Sequence, residues 1–216
     1  MPKRAIVAGA TGLVGSRLVA ALLADPDYES IHALVRHPLG IADVKLREHR
    51  IDYRRFTETA WPVADDVFCC LGTTIRVAGS QEAFREVDYV YPLAVARAAQ
   101  LKGAEQFLFV SAMGADARSS VFYSRVKGEL EVAIAALGYR AAIALRPSLL
   151  SGQRRQQRLG ERAALMVLQP LRSLVPRRYR PVADEAVARA MVAYAKRGLA
   201  GFHVVPSDAI QAFAAG

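Results

Sequence analysis

Three residues in the middle of this chain could share one chemical task. Tyr123 and Lys127 stand four apart in Tyr123-Ser124-Arg125-Val126-Lys127, a spacing that sets both on one helical face, one turn apart. A phenol ionising near pH 10 is a poor acid or base at neutral pH. A neighbouring ammonium favours the phenolate and brings that ionisation nearer the working range. Ser111 closes the apolar run Phe107-Leu108-Phe109-Val110 and offers a hydroxyl able to orient a carbonyl and stabilise a developing oxyanion. Ser111, Tyr123 and Lys127 therefore read as a catalytic group for proton transfer to or from a carbonyl or alcohol oxygen. Chance alone places Tyr and Lys four apart on many helices. What lifts the pattern above chance is a second constellation.

That constellation is Gly9-Ala10-Thr11-Gly12-Leu13-Val14-Gly15, three glycines spaced by pairs of residues. It lies between apolar Ala5-Ile6-Val7-Ala8 and a run with Val14, Leu18, Ala21 and Leu22 at helical spacing. Between a strand and a helix, glycine permits a tight turn and lets backbone N–H groups approach a pyrophosphate, while the helix N-terminus adds partial positive charge. Gly9, Thr11, Gly12, Leu13, Val14 and Gly15 are thus the expected dinucleotide cradle. An NAD-selective site usually carries Asp or Glu about 20 residues beyond the glycines, to hold the ribose 2′-OH. Here Ile31 to Val35 ends at Arg36, then His37, with no acid at the tip. Arginine pairs with a 2′-phosphate that a carboxylate would repel, so NADP(H) is expected in preference to NAD(H).

The elements that must position these groups alternate along the chain. Strand signals fall at residues 5–8, 31–35, 45–52 (weaker), 67–71, 107–110, 141–145 and 201–205. Helical periodicity falls at 14–24, 80–102 (capped by Ser80), 122–137, 163–168 and 184–195. The strands over 5–8, 67–71 and 107–110 are nearly continuous apolar runs, as in a parallel sheet covered on both faces. The expected fold is α/β: a doubly wound parallel-sheet Rossmann fold with a small C-terminal substrate lobe. It forms a single domain, with a dinucleotide-binding core over 1–146 and a substrate-side lobe over 147–216 that carries the last helix and strand.

Gly9 to Gly15, Ser111 and Tyr123-x-x-x-Lys127 together resemble the short-chain dehydrogenase/reductase superfamily. Cys70-Leu71-Gly72-Thr73-Thr74, Val110 to Asp116 and Tyr123 to Glu129 are similar to its atypical members, the Tat-interacting-protein-like oxidoreductases and their bacterial relatives. The resemblance spans essentially the whole chain. It implies a Ser-Tyr-Lys group and a cofactor along the glycine loop, with Asp52 near the adenine and Leu71, Gly72 and Thr73 along the ribose and pyrophosphate. It further implies Pro147, Ser148 and Leu149 near the nicotinamide, and Lys127 on the nicotinamide ribose. Two departures stand out. The Ser111–Tyr123 interval is one residue shorter than is usual in the simple reductases, and where those enzymes carry an asparagine the nearest polar residue is Asp88.

The remaining features narrow the partners. The net charge of +9 is concentrated between Arg146 and Arg180, where nine arginines meet one acid. Such a patch could meet an anionic ligand. With no aromatic interleaving or groove-reading motif beside Arg154, Arg155, Arg158, Arg177, Arg178 and Arg180, nucleic acid is not expected. A small-molecule substrate is. The four histidines have no ligand spacing, so no metal is expected. Cys69 and Cys70 are adjacent on a strand and point to opposite faces, so they read as reduced thiols. With no secretory start and no run long enough to span a bilayer, they point to a cytoplasmic protein. Tyr89 and Tyr91 read as packing residues, and Phe202 and the tail as closing the core or a homo-oligomer contact. The leading function is an NADP(H)-dependent oxidoreductase acting on a carbonyl or alcohol. The alternative is a non-catalytic NADP(H)-binding regulatory or redox-sensing protein.

Overall fold

The computed structural model describes residues 2–55, 61–151 and 176–214. Among these the main sheet has seven parallel strands: β1 (Lys3–Ala8), β2 (Tyr28–Val35), β3 (Leu46–Arg50), β4 (Asp66–Cys69), β5 (Gln106–Val110), β6 (Ala141–Arg146) and, last in sequence, β9 (Gly201–Pro206). Their spatial order is β3-β2-β1-β4-β5-β6-β9. Two short strands, β7 (Leu150–Ser151) and β8 (Val182–Ala183), pair separately.

Both faces of the sheet are buried, which is why its strands need no polar alternation. Ala5 and Val7 of β1 pack with Leu18 and Leu22 of α1 (Leu13–Leu23) and with Val187 and Met191 of α6 (Asp184–Ala195). Ile6 and Ala8, pointing the other way, join Val95 and Ala99 of α4 (Tyr91–Leu101) and Leu130 and Ile134 of α5 (Phe122–Ala135). α6 packs on α1 and β9 pairs with β6, so the last helix and strand complete the main layers. A final helix, α7 (Ser207–Gln211), follows β9 directly. The helix expected over 163–168 lies outside the described residues.

The single helix expected from 80 to 102 is instead three segments. α2 (Ile75–Ala78) precedes it, α3 (Gln81–Arg85) opens it on the Ser80 cap, and one turn of π-helix over Glu86–Val90 separates α3 from α4. The cause is Pro92. It has no N–H to give the Asp88 carbonyl four residues back, and the Tyr91 N–H just before it reaches Glu86 O, five residues back. A proline inside a helical pattern signals such a break.

Candidate functional site

The chain leaves β1 toward β2 on one side and returns to β4 on the other, so a crevice opens at the C-terminal ends of β1 and β4, where open α/β sheets take ligands. In register, Ala8 pairs with Cys69, Cys69 with Phe109 and Phe109 with Ala144. Gly9, Cys70, Ser111 and Arg146 therefore reach one edge together.

Gly9 turns with φ of +80°, and a Cβ there would lie 2.7 Å from the Cys70 carbonyl carbon. A Cβ on Gly15 would lie 2.1 Å from Gly9 O. Neither position admits another residue without moving backbone. α1 is preceded by Gly12, which offers no side-chain cap, so its first N–H groups are left for an anion. Thr11 and Gly12 are exposed and Leu13 half-buried, whereas Val14 is buried in the core. Val14 can thus offer a ligand only its backbone. This uncapped, glycine-cleared helix start fits the pyrophosphate of a dinucleotide.

Arg36 stands just beyond β2, exposed, and makes no ion pair among the described residues. Asp52 is also exposed and its Oδ1 accepts the Arg54 N–H at 3.0 Å. Sequence reasoning missed the residue beside it. Tyr53 stacks on Tyr91, with ring centroids 5.3 Å apart and planes at 21°. Its buried hydroxyl has no hydrogen-bond partner among the described residues. Burial above all drives that phenol well above its ordinary value, and the charge of Arg36 partly opposes the rise. The only sequence signal was an aromatic residue just after the third strand. Tyr91 packs as expected, and Tyr89 lies under the Arg85 guanidinium, 4.4 Å from its ring centre.

Tyr123 and Lys127 both lie on α5, the tyrosine half-buried and the lysine buried. The Tyr123 ring meets Phe84 at 5.5 Å. Lys127 Nζ pairs with Asp88 Oδ1 at 2.7 Å and donates to Val110 O at 3.4 Å. Burial pulls the Lys127 ammonium down, but Asp88 and then Tyr123 outweigh it and hold it above the ordinary lysine value. The second Asp88 oxygen accepts the Thr73 N–H at 2.8 Å. A Cβ on Gly72 would sit 3.4 Å from Asp88 Oδ1 and 3.8 Å from Lys127 Nζ. The Leu71-Gly72-Thr73 segment is thereby drawn against the lysine. Asp88, met in the sequence only as the nearest polar residue to a missing asparagine, is the centre of this cluster.

Ser111 is buried at the end of β5, but its hydroxyl donates to Glu131 Oε1. Glu131 also receives Arg146, Nε to Oε1 at 2.9 Å and Nη2 to Oε2 at 2.5 Å. Ser111 thus belongs to a serine–glutamate–arginine network that the sequence did not announce. Ser148 is likewise engaged, its hydroxyl donating to Arg180 O and its N–H going to Ser207 Oγ at 3.2 Å. Pro147 is buried, its carbonyl taking the Met113 N–H at 2.9 Å, and Leu149 is exposed at the rim. Gly128, also unremarked in the sequence, lets α5 touch the preceding loop: a Cβ there would lie 2.1 Å from Ala117 N. Arg154, Arg155 and Arg158 lie outside the described residues. Arg177 and Arg178 are exposed. Phe213 packs against Tyr194 at 6.1 Å, while Phe202 remains partly exposed on the edge strand β9. Burial pushes the Cys69 thiol up to about 12 and holds the Cys70 thiol well above its ordinary value. Both thiols are free and protonated.

A family model described as NAD(P)H-binding matches residues 9–150. Among curated proteins, "Protein FMP52, mitochondrial" of Coccidioides immitis is 34% identical over 169 residues, covering 72% of this chain and 69% of its own. An oxidoreductase of the short-chain dehydrogenase/reductase family from Burkholderia thailandensis superposes with a TM-score of 0.72 at 18% identity, covering 98% of this chain and 94% of that one. MoeE5 in complex with UDP-glucose and NAD superposes at 0.69 and 19%, covering 93% of this chain and 74% of that one. At those identities the two structures bear on fold alone, and the fold is the expected Rossmann type. The expected cytoplasmic location is corrected by the relatives: those from Coccidioides immitis, Emericella nidulans and Candida albicans are all named mitochondrial. The absence of a secretory start carried that expectation, and it says nothing against an organelle. No helix among the described residues is long and apolar enough to cross a membrane.

Proposed function

This chain belongs to the NAD(P)H-binding family, and from that premise we propose that it is an NADP(H)-dependent oxidoreductase acting on a small carbonyl or alcohol. When bound, the cofactor supplies or takes up the hydride. Tyr123 gives its hydroxyl proton to the carbonyl oxygen in reduction and takes it back in oxidation, solvent restoring the balance. Lys127 holds the nicotinamide ribose and presents a positive charge toward the phenol. The observation that carries this reading is the buried Lys127 ammonium. It stands one turn from Tyr123 and against Gly72, at the same sheet edge as the Gly9–Gly15 cradle. Arg36 selects NADP(H), since the strand tip it follows carries a cation and no acid.

Ser111 takes a secondary part here. Its one proton goes to Glu131, so it must turn before it can stabilise an oxyanion, and Tyr123 is the principal donor. Purified protein should oxidise NADPH with some member of a broad carbonyl panel, and Tyr123→Phe should abolish that turnover while still binding cofactor. Turnover that survives in Tyr123→Phe refutes the assignment.

One observation favours a second reading, that of a non-catalytic NADP(H) sensor. Buried carboxylates already hold both helpers of Tyr123: Asp88 holds Lys127, and Glu131 holds Ser111. A sensor would bind NADP(H) without turnover on any panel member, and its affinity for a protein partner would follow the cofactor's redox state.

A further inference from the structure

Lys127 is nearly inaccessible, and a buried ammonium survives only with a partner. The groups that face it are few. From the π-turn comes Asp88, from its own helix Tyr123, from β4 the thiol of Cys69, and from β5 the carbonyl of Val110. Cys69 is protonated and the carbonyl is neutral. The two charged neighbours at the rim, Arg85 and Glu129, are spent on each other. Among the described residues Asp88 is therefore the one charge that answers the lysine, and its other oxygen is spent on the Thr73 backbone.

We propose that Asp88 is the positioning residue of the cofactor site: its carboxylate keeps Lys127 an ammonium, fixes it in place, and ties it to the Gly72-Thr73 segment so that both meet the cofactor as one unit. Phe84 and Asp88, four apart, lie on one side of their helical segment, against Tyr123 and Lys127 respectively. The consequence is an NADP(H) site whose lysine stays charged throughout the physiological and mildly alkaline range. This inference rests on the reading of Lys127 as a cofactor ligand.

The test uses full-length protein carrying 13C-labelled lysine, with the Lys127 signal assigned by its loss in Lys127→Arg. In wild type the ammonium should persist beyond pH 10. In Asp88→Asn it should ionise at least about one pH unit lower, since an opposite charge at this range is worth about one to three. Asp88→Glu, which keeps the charge, should restore the wild-type titration. NADP+ affinity should be nearly equal at pH 7.5 and 9.5 in wild type and Asp88→Glu, whereas in Asp88→Asn it should fall in step with the ammonium, about twofold at the pH where half of Lys127 is neutral. Should the asparagine variant not fold, Asp88→Ser, smaller and still polar, takes its place. A Lys127 titration unchanged in the neutral variant overturns the proposal. Early ionisation with an NADP+ affinity that does not fall alongside it upholds the pairing, and instead refutes the cofactor role of Lys127.

Discussion

Replacing Arg36 tests cofactor choice at one residue. In Arg36→Ala the guanidinium that follows β2 is removed, and because it has no ion pair among the described residues no internal bridge is lost with it. The structural cost should be small, leaving the contact to the 2′-phosphate as the main effect. A hydrogen bond to a charged group contributes about 1.5–3 kcal/mol. Arg36 is exposed, so solvent screening sets the expectation at the lower end, about 1.5 kcal/mol, or roughly tenfold in Kd. NAD+ has no 2′-phosphate and should bind almost equally to wild type and variant. Arg36→Asp should go further and reverse the preference, repelling the phosphate and accepting from the ribose hydroxyls. Calorimetric titration of NADP+ and NAD+ into the three proteins, at one fixed salt concentration, reads this directly. Raising the salt should narrow the wild-type gap. Wild type that prefers NAD+, or Arg36→Ala that weakens both cofactors alike, refutes the assignment.

Three further outcomes follow from the geometry. Ser111→Ala should slow turnover far less than Tyr123→Phe, because the serine proton is committed to Glu131; equal losses in kcat would restore Ser111 as a full partner. Gly128→Ala forces backbone apart where a Cβ would stand 2.1 Å from Ala117 N. It should cost at least about 1–3 kcal/mol, read as a lowered Tm, and an unchanged Tm would mean that the loop yields freely. His32 Nδ1 and His49 Nε2 lie 2.8 Å apart, and burial first, with neighbouring positive charge added at His32, holds both below the ordinary histidine value. The unfolded chain then binds their protons more readily, so stability is full above about pH 6.5 and is lost as pH falls below it. Tm measured from pH 8 to 5 should fall less steeply in His49→Gln, and an equal slope would exclude the pair as the cause.

What was legible in the sequence was whatever depends on near neighbours. The glycine loop, the strand runs and the Tyr123–Lys127 turn each need only a few consecutive residues, and each folds where periodicity places it. The partners of those residues were not legible, because they come from afar in the chain. Asp88 reaches Lys127 from 39 residues away, and Glu131 meets Ser111 and Arg146 across 20 and 15. No local pattern encodes such distances. Pro92 was the missed signal that was local: read as a break rather than as a residue within one helix, it marks the π-turn that carries Asp88.

The contacts between residues 84–88 and α5 constrain how this site can rearrange. Phe84 packs on Phe122 and Tyr123, Arg85 pairs with Glu129, and Asp88 pairs with Lys127. From the other side, Gly128 presses α5 against Ala117 and Asp116, and the Asp116 N–H bonds Ser124 O at 3.1 Å. α5 is thus gripped on two sides within two turns, and its tyrosine and lysine cannot shift independently of the π-turn. A site held in this way loses less to the ordering of its own side chains when a ligand arrives. The same rigidity makes the Asp88 carboxylate costly to remove, since an unpaired buried ammonium cannot swing out to water. Among the residues of this edge, Asp88 is therefore where a single neutral substitution should disturb charge, position and cofactor contact together.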